Sequence, residues 1–146
     1  MQNNKEIIIG SDHAGFLLKQ RLIKYLSDLG CKVNDTGVYS EESSDYPITA
    51  KQTAKEAVSK QIPAVLICGT GIGMSIAANK IKGARAALCC SEETAKLSRL
   101  HNDANILCLG ARFIQPEQAE KILKTWLETG FEGGRHKRRI DLIEAE

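Results

Sequence analysis

Pro63-Ala64-Val65-Leu66-Ile67 leads into Cys68-Gly69-Thr70-Gly71-Ile72-Gly73-Met74, and that stretch leads into Ser75-Ile76-Ala77-Ala78-Asn79-Lys80-Ile81. The apolar run predicts a buried strand over 64–68 and the last run a helix from about 73 to 80. Between them lies a turn with three glycines. Strand, glycine turn and helix together aim several main-chain N–H groups at one point, which suits an oxyanion. A cysteine at the mouth of such a turn lies near the positive end of the following helix, a setting that favours thiolate over thiol. The bland alternative is a tight connection with a structural cysteine.

Three known glycine motifs do not fit. A dinucleotide fingerprint needs glycine at position 74, a P-loop needs Gly-Lys-Ser/Thr, and a cysteine-phosphatase loop needs arginine at 74. Position 74 is Met74. The loop therefore lacks the lysine or arginine of those phosphate cradles.

The same alternation continues outward. Strands are expected at Glu6 to Gly10, Lys32 to Thr36, Ala84 to Cys89 and Asn105 to Gly110. Helices are expected at Phe16 to Leu29, stopped by Gly30, and at Tyr46 to Lys60, with Ile48, Ala50, Ala54, Ala57 and Val58 inward. Two more run from a Ser91 cap to about Leu100 and from Pro116 to Glu128. Gly37 to Asp45 reads as a loop, and 131–146 as a short basic, then amphipathic tail. Strands alternating with helices predict an α/β fold: one three-layer α/β/α domain over 1–146, with a five-stranded parallel, Rossmann-like sheet. Right-handed crossovers put every strand's C-terminus on one edge, where such sheets bind ligands. Three strands end there in Gly10-Ser11-Asp12-His13, Cys68-Gly69-Thr70 and Gly110-Ala111-Arg112.

With 146 residues, 26% charged and 42% hydrophobic, the chain has the composition of a soluble globular protein. It holds no apolar run of the ~20 residues that cross a bilayer. The polar start, Met1 to Glu6, has no signal-peptide core, so a cytoplasmic location is expected. The five cysteines contain no C-x-x-C pair, which argues against zinc or a disulfide framework. Removing Arg135, Lys137, Arg138 and Arg139 would turn the net charge of +2 into −2, so the basic character is local to the tail. Arg135 and Arg139 share a helical face and could clamp a phosphate; the tail has no interleaved aromatics, and nucleic acid is not expected as a partner. Asp12 and His13 could hold sugar hydroxyls or a phosphate, or Asp12 could merely cap a helix. His101-Asn102 precedes the last strand, the wrong edge for a site built on Cys68. Either the pair is an ordinary surface feature or a second subunit delivers it.

Taken together, Gly10-Ser11-Asp12-His13-Ala14-Gly15-Phe16, the Cys68 to Gly73 loop, His101-Asn102 and Gly134-Arg135-His136-Lys137-Arg138-Arg139 resemble the B-type ribose-5-phosphate isomerases, a family that includes the galactose-6-phosphate isomerase subunits. The resemblance spans nearly the whole chain. It implies strand order 2-1-3-5-4, a homodimer or dimer of dimers with shared active sites, and cofactor- and metal-free isomerisation of a sugar phosphate. It implies Cys68 as the base that moves a proton between C1 and C2, His101 as the ring-opening acid or base, and Thr70 as a further catalytic group. The Gly69, Thr70, Gly71, Ile72 and Gly73 amides would hold enediolate oxygens. Asp12, His13 and Asn102 would contact substrate, and Arg112, Arg135 and Arg139 would bind the phosphate. Some members replace the cysteine by a glutamate just after the last loop glycine; Met74 there puts this chain in the cysteine branch. Because the chain keeps the full set, ribose 5-phosphate is the expected substrate, with a six-carbon sugar phosphate as the alternative and a non-catalytic sensor as the remote one.

Overall fold

Ile7 and Ile9 face one side of the first strand and Ile8 the other, and all three are fully buried. That alternation continues along the neighbouring strands and divides the interior into two cores. In the computed structural model, which describes residues 5–146, the strands are β1 (Glu6–Ser11), β2 (Lys32–Gly37), β3 (Ala64–Cys68), β4 (Ala86–Leu88) and β5 (Ile106–Gly110). The helices are α1 (Phe16–Asp28), α2 (Tyr46–Lys60), α3 (Ile72–Ala78), α4 (Glu92–Asn102), α5 (Pro116–Glu128) and α6 (Arg135–Glu144). The polar residues 1–4, on which part of the leader expectation rests, lie outside the described residues. No helix among the described residues is long and apolar enough to cross a membrane.

The sheet is parallel, in the order β2-β1-β3-β5-β4. On one face Ile7, Ile9, Val65, Ile67, Leu107 and Leu109 pack against α1, α4 and α5 through Leu18, Leu22, Leu26, Ala95, Ile122, Leu123 and Trp126. On the other, Ile8, Leu66, Cys68, Ile106 and Cys108 meet Ala50, Ala54 and Ala57 of α2 and Met74, Ala77 and Ala78 of α3. Both faces of the sheet are covered, as the apolar strand runs require.

Several expectations need correction. Ile48 does not point inward: it is 68% exposed, and α2 buries Thr49, Ala50, Thr53, Ala54 and Ala57 instead. Val58 is only half-buried. The inward face of α2 is made of small residues because the helix lies close to β1 and β2, where Thr53 and Thr36 share a 2.9 Å hydroxyl contact. A larger residue such as Ile48 fits only on the solvent side. β4 is three residues long rather than six, and α4 runs two residues past Leu100, so His101 and Asn102 ride on its last turn. The basic, then amphipathic tail is mostly α6, which buries His136 and Ile140.

Lys19 is fully buried in α1, which the sequence did not announce. Its Nζ donates to Asp35 Oδ1 at 2.6 Å and to the Val38 carbonyl at 2.5 Å, with the Phe16 and Tyr39 rings nearby. This pair ties the end of β2, and the loop after it, to α1. Lys19→Met is expected to lower stability by about 3 kcal/mol. That is the low end for a broken buried pair, because Asp35 keeps 27% side-chain exposure and stays partly hydrated. A urea midpoint unchanged from wild type would show that the pair contributes nothing net.

Candidate active site

Cys68 is the last residue of β3, paired in register with Gly110 of β5. Its side chain falls on the α2/α3 face and is 4% exposed, so any proton it handles moves out of contact with bulk water. The Gly71 N–H donates to Cys68 Sγ at 3.1 Å. The Ile72 N–H donates to Thr70 Oγ1, also at 3.1 Å, which leaves the Thr70 O–H free to donate elsewhere. Two of the five amides expected to receive substrate oxygens are therefore already engaged inside the loop. The turn is possible because Gly71 has φ +79° and no side chain. A Cβ there would come within 2.5 Å of Leu88 Cδ1 and 2.9 Å of the Leu109 carbonyl carbon. Gly71→Ala is expected to cost about 1–3 kcal/mol through backbone strain. Thermal unfolding measures it, and an unchanged midpoint would mean the loop yields freely.

The other groups expected at this edge are present. Asp12 and His13 follow β1 directly, whose Ser11 pairs with Ile67. Asp12 Oδ1 accepts the Gly15 N–H at 3.1 Å, so the carboxylate does cap the turn into α1, and it is 6% exposed. His13 is oriented by Ser44, whose N–H donates to Nδ1 at 3.2 Å while its Oγ accepts the His13 N–H at 3.0 Å. Accepting that bond fixes Nδ1 as the unprotonated nitrogen of the neutral ring and turns the Nε2–H into the donor. Arg112 belongs to the same edge: its N–H donates to the Gly69 carbonyl at 3.0 Å, and its guanidinium covers Gly69 closely enough that a Cβ there would lie 2.9 Å from Nη1. Tyr46, at the start of α2, lies over Gly73 in the same way, its Cε1 2.5 Å from where a Cβ would be. Ser44 and Tyr46 were not singled out from sequence. Their only signal was proximity to the strand edge, in a loop that read as merely polar.

His101, Asn102, Arg135 and Arg139 are not brought to Cys68 within the chain. They gather at the opposite end of the sheet, where α4 hands over to β5. Ala64 begins β3 there, donating its N–H to the Asn105 carbonyl at 3.1 Å. Four residue steps along the strand, at ~3.3 Å each, put roughly 13 Å of sheet between the two groups. The His101 ring stacks on His136 at 4.3 Å between centroids and 13° between planes. The Glu132 N–H donates to the Leu100 carbonyl at 3.1 Å, which holds the start of the tail against α4. Arg135 and Arg139 are exposed on α6, and Asn102 is exposed with its carbonyl taken by Arg85 Nε at 3.2 Å. Burial first, and then the neighbouring His101 and Arg135, hold the His136 imidazole below its ordinary range, against the opposing pull of Glu132. A cleft of about 680 Å³, lined by Lys5, Arg85, Arg99, Asp103 and Trp126, contains none of the expected site residues. The chain thus carries two chemically complementary half-sites: a thiol with main-chain donors at one edge, and imidazole with guanidinium groups at the other.

All five cysteines are free; Cys31, Cys89 and Cys108 are buried, and burial pushes their thiols up, above all that of Cys108. Cys90 is exposed.

Comparison with known proteins identifies the family. The family described as Ribose/Galactose Isomerase matches residues 7–143. Ribose-5-phosphate isomerase B of Escherichia coli is 44% identical over 142 residues, covering 97% of this chain and 95% of that protein. Among solved structures, ribose 5-phosphate isomerase B of Thermotoga maritima has 50% identity and a TM-score of 0.94, over 96% of this chain and 97% of that one. The Mycoplasma genitalium enzyme, solved with bound ribulose-5-phosphate, has 42% identity and a TM-score of 0.93, over 98% and 96% of the two chains. With a family match over nearly its full length and relatives 42–50% identical, the chain belongs to the ribose/galactose isomerase family.

Proposed function

We propose that the chain is an aldose–ketose isomerase that interconverts ribose 5-phosphate and ribulose 5-phosphate. The observation that carries this reading is the Cys68 sulfur at the floor of the glycine loop, accepting the Gly71 N–H at the strand edge that also holds Asp12, His13 and Arg112. The thiolate takes the proton from C2 of the open-chain aldose and returns it to C1. The negative charge that passes through the enediolate rests on substrate oxygens, for which the Thr70 hydroxyl and the loop amides not already engaged serve as donors. Fixed donors of this kind are worth about 2.7–4 kcal/mol each to such a transition state. His101, as acid and base, moves protons between the ring oxygen and the anomeric hydroxyl so that the furanose opens.

The two half-sites become one site when a second copy of the chain brings its His101, Asn102, Arg135 and Arg139 to the Cys68 edge. We place the phosphate between Arg112 of one chain and those arginines of the other. A homodimer is therefore the smallest active unit, the chain is one domain, and the cytoplasm is its natural setting as a sugar-phosphate enzyme. The test is direct: pure protein is incubated with ribose 5-phosphate in EDTA and ketose formation is followed. Steady turnover supports the reading; binding without exchange of the C2 proton for solvent deuterium would make the protein a sensor instead.

A further inference from the structure

The turn between α5 and α6 does more than connect them. Gly133 and Gly134 both take positive φ, +75° and +59°, and reverse the chain so that Glu132 and His136 face the same point. The Glu132 N–H bond to Leu100 places that point beside His101. One ligand atom from each of His101, Glu132 and His136 lies within 4.8 Å of the others. His136 is 5% exposed, yet its Nε2 is buried without a hydrogen-bond partner, 3.9 Å from Glu132 Oε1. A buried imidazole nitrogen normally finds a partner, because leaving one unpaired costs about 1–3 kcal/mol. Here the unpaired nitrogen points to the gap that the two other ligand atoms border.

We propose that His101, His136 and Glu132 bind a single zinc-type divalent ion, and that this ion inhibits the enzyme. Two imidazoles and one carboxylate are a ligand set that zinc takes in open, three-ligand sites. The stacked rings must splay for both nitrogens to point at one ion. His101 is only half-buried, and the ring torsion of histidine is soft, so that turn is available. The nearby Arg135 and Arg139 oppose a dication and weaken its binding. Inhibition rests on the function proposed above: a metal on His101 occupies the lone pair that ring opening uses.

Metal-free protein carrying Cys90→Ser, which removes the one exposed thiol, is titrated with Zn²⁺ against a chromophoric chelator and separately with Co²⁺ as a spectroscopic probe. One ion per chain is expected, with visible Co²⁺ bands of nitrogen and oxygen ligation and no thiolate charge-transfer band. Glu132→Gln and His136→Gln should each weaken binding at least ~10-fold. Glu132 is exposed, so its variant stays folded even if the His136 variant does not. Metal-free turnover of Glu132→Gln should match wild type while its inhibition by Zn²⁺ shifts to higher concentration. Absence of binding, or binding indifferent to Glu132→Gln, would overturn the site. Binding is read without turnover, so an inactive protein that still binds the ion would refute the isomerase reading and leave the site standing.

Discussion

Replacing Cys68 by alanine or by serine is expected to lower isomerase turnover by about 10²–10⁴-fold, the usual worth of a positioned general base. The fold should survive both changes. Cys68 ends a strand hydrogen-bonded on both sides of its register, and the flanking Ile67 and Gly110 contacts do not involve its sulfur. Serine keeps nearly the same volume and can still accept the Gly71 N–H, but a hydroxyl is a far weaker acid than a thiol and gives no comparable base. Circular dichroism and a ribulose assay settle the matter together. Near-normal turnover in both variants, with native spectra, would remove Cys68 from the chemistry.

Mixing two inactive variants gives the second large effect. Cys68→Ala and His101→Asn should each be nearly inactive on ribose 5-phosphate, although His101→Asn should keep activity on an acyclic substrate that needs no ring opening. Refolded together in equal amounts, they should recover about a quarter of wild-type activity. Half of the dimers are then mixed, and each mixed dimer has one site with an intact thiol facing an intact imidazole. If one chain supplied both groups, every site would carry a defect and mixing would restore nothing. The two outcomes are far apart, and the roughly 13 Å of sheet between Cys68 and His101 in one chain is the reason to expect recovery.

Much of this architecture was legible in the chain because glycine and proline punctuate it. The limits of β3, α2 and α5 follow from Pro47, Pro63 and Pro116 and from the Gly69 turn, and the cap at Ser91 accepts the Thr94 N–H as expected. The Cys68, Asp12, His13 and Arg112 edge was legible as well, since parallel topology alone brings strand C-termini together. What the sequence hid depended on long-range contacts. Lys19 reads as a surface lysine until Asp35 and Val38, brought by β2, enclose it. Ile48 reads as core until the close approach of α2 to β1 admits only alanine and threonine. Ser44 has no pattern of its own; only the fold sets its loop against His13. The tail read as basic, then amphipathic, but which residues dock it was hidden, because His136 and Ile140 stand just one per turn among consecutive charges.

The docking of α6 on α4 has a consequence for which sugars are accepted. His101 and the two tail arginines travel as one rigid piece, joined by the ring stack and the Glu132 amide. In the arrangement proposed above, the carbonyl end of the sugar lies at the Cys68 edge of one copy and its phosphate reaches the arginines of the other. The number of carbons that fit is then measured across the seam between copies, like the gap of a caliper with one jaw on each. Substitutions that shift that seam, remote from any atom touching the sugar, would change the preferred chain length.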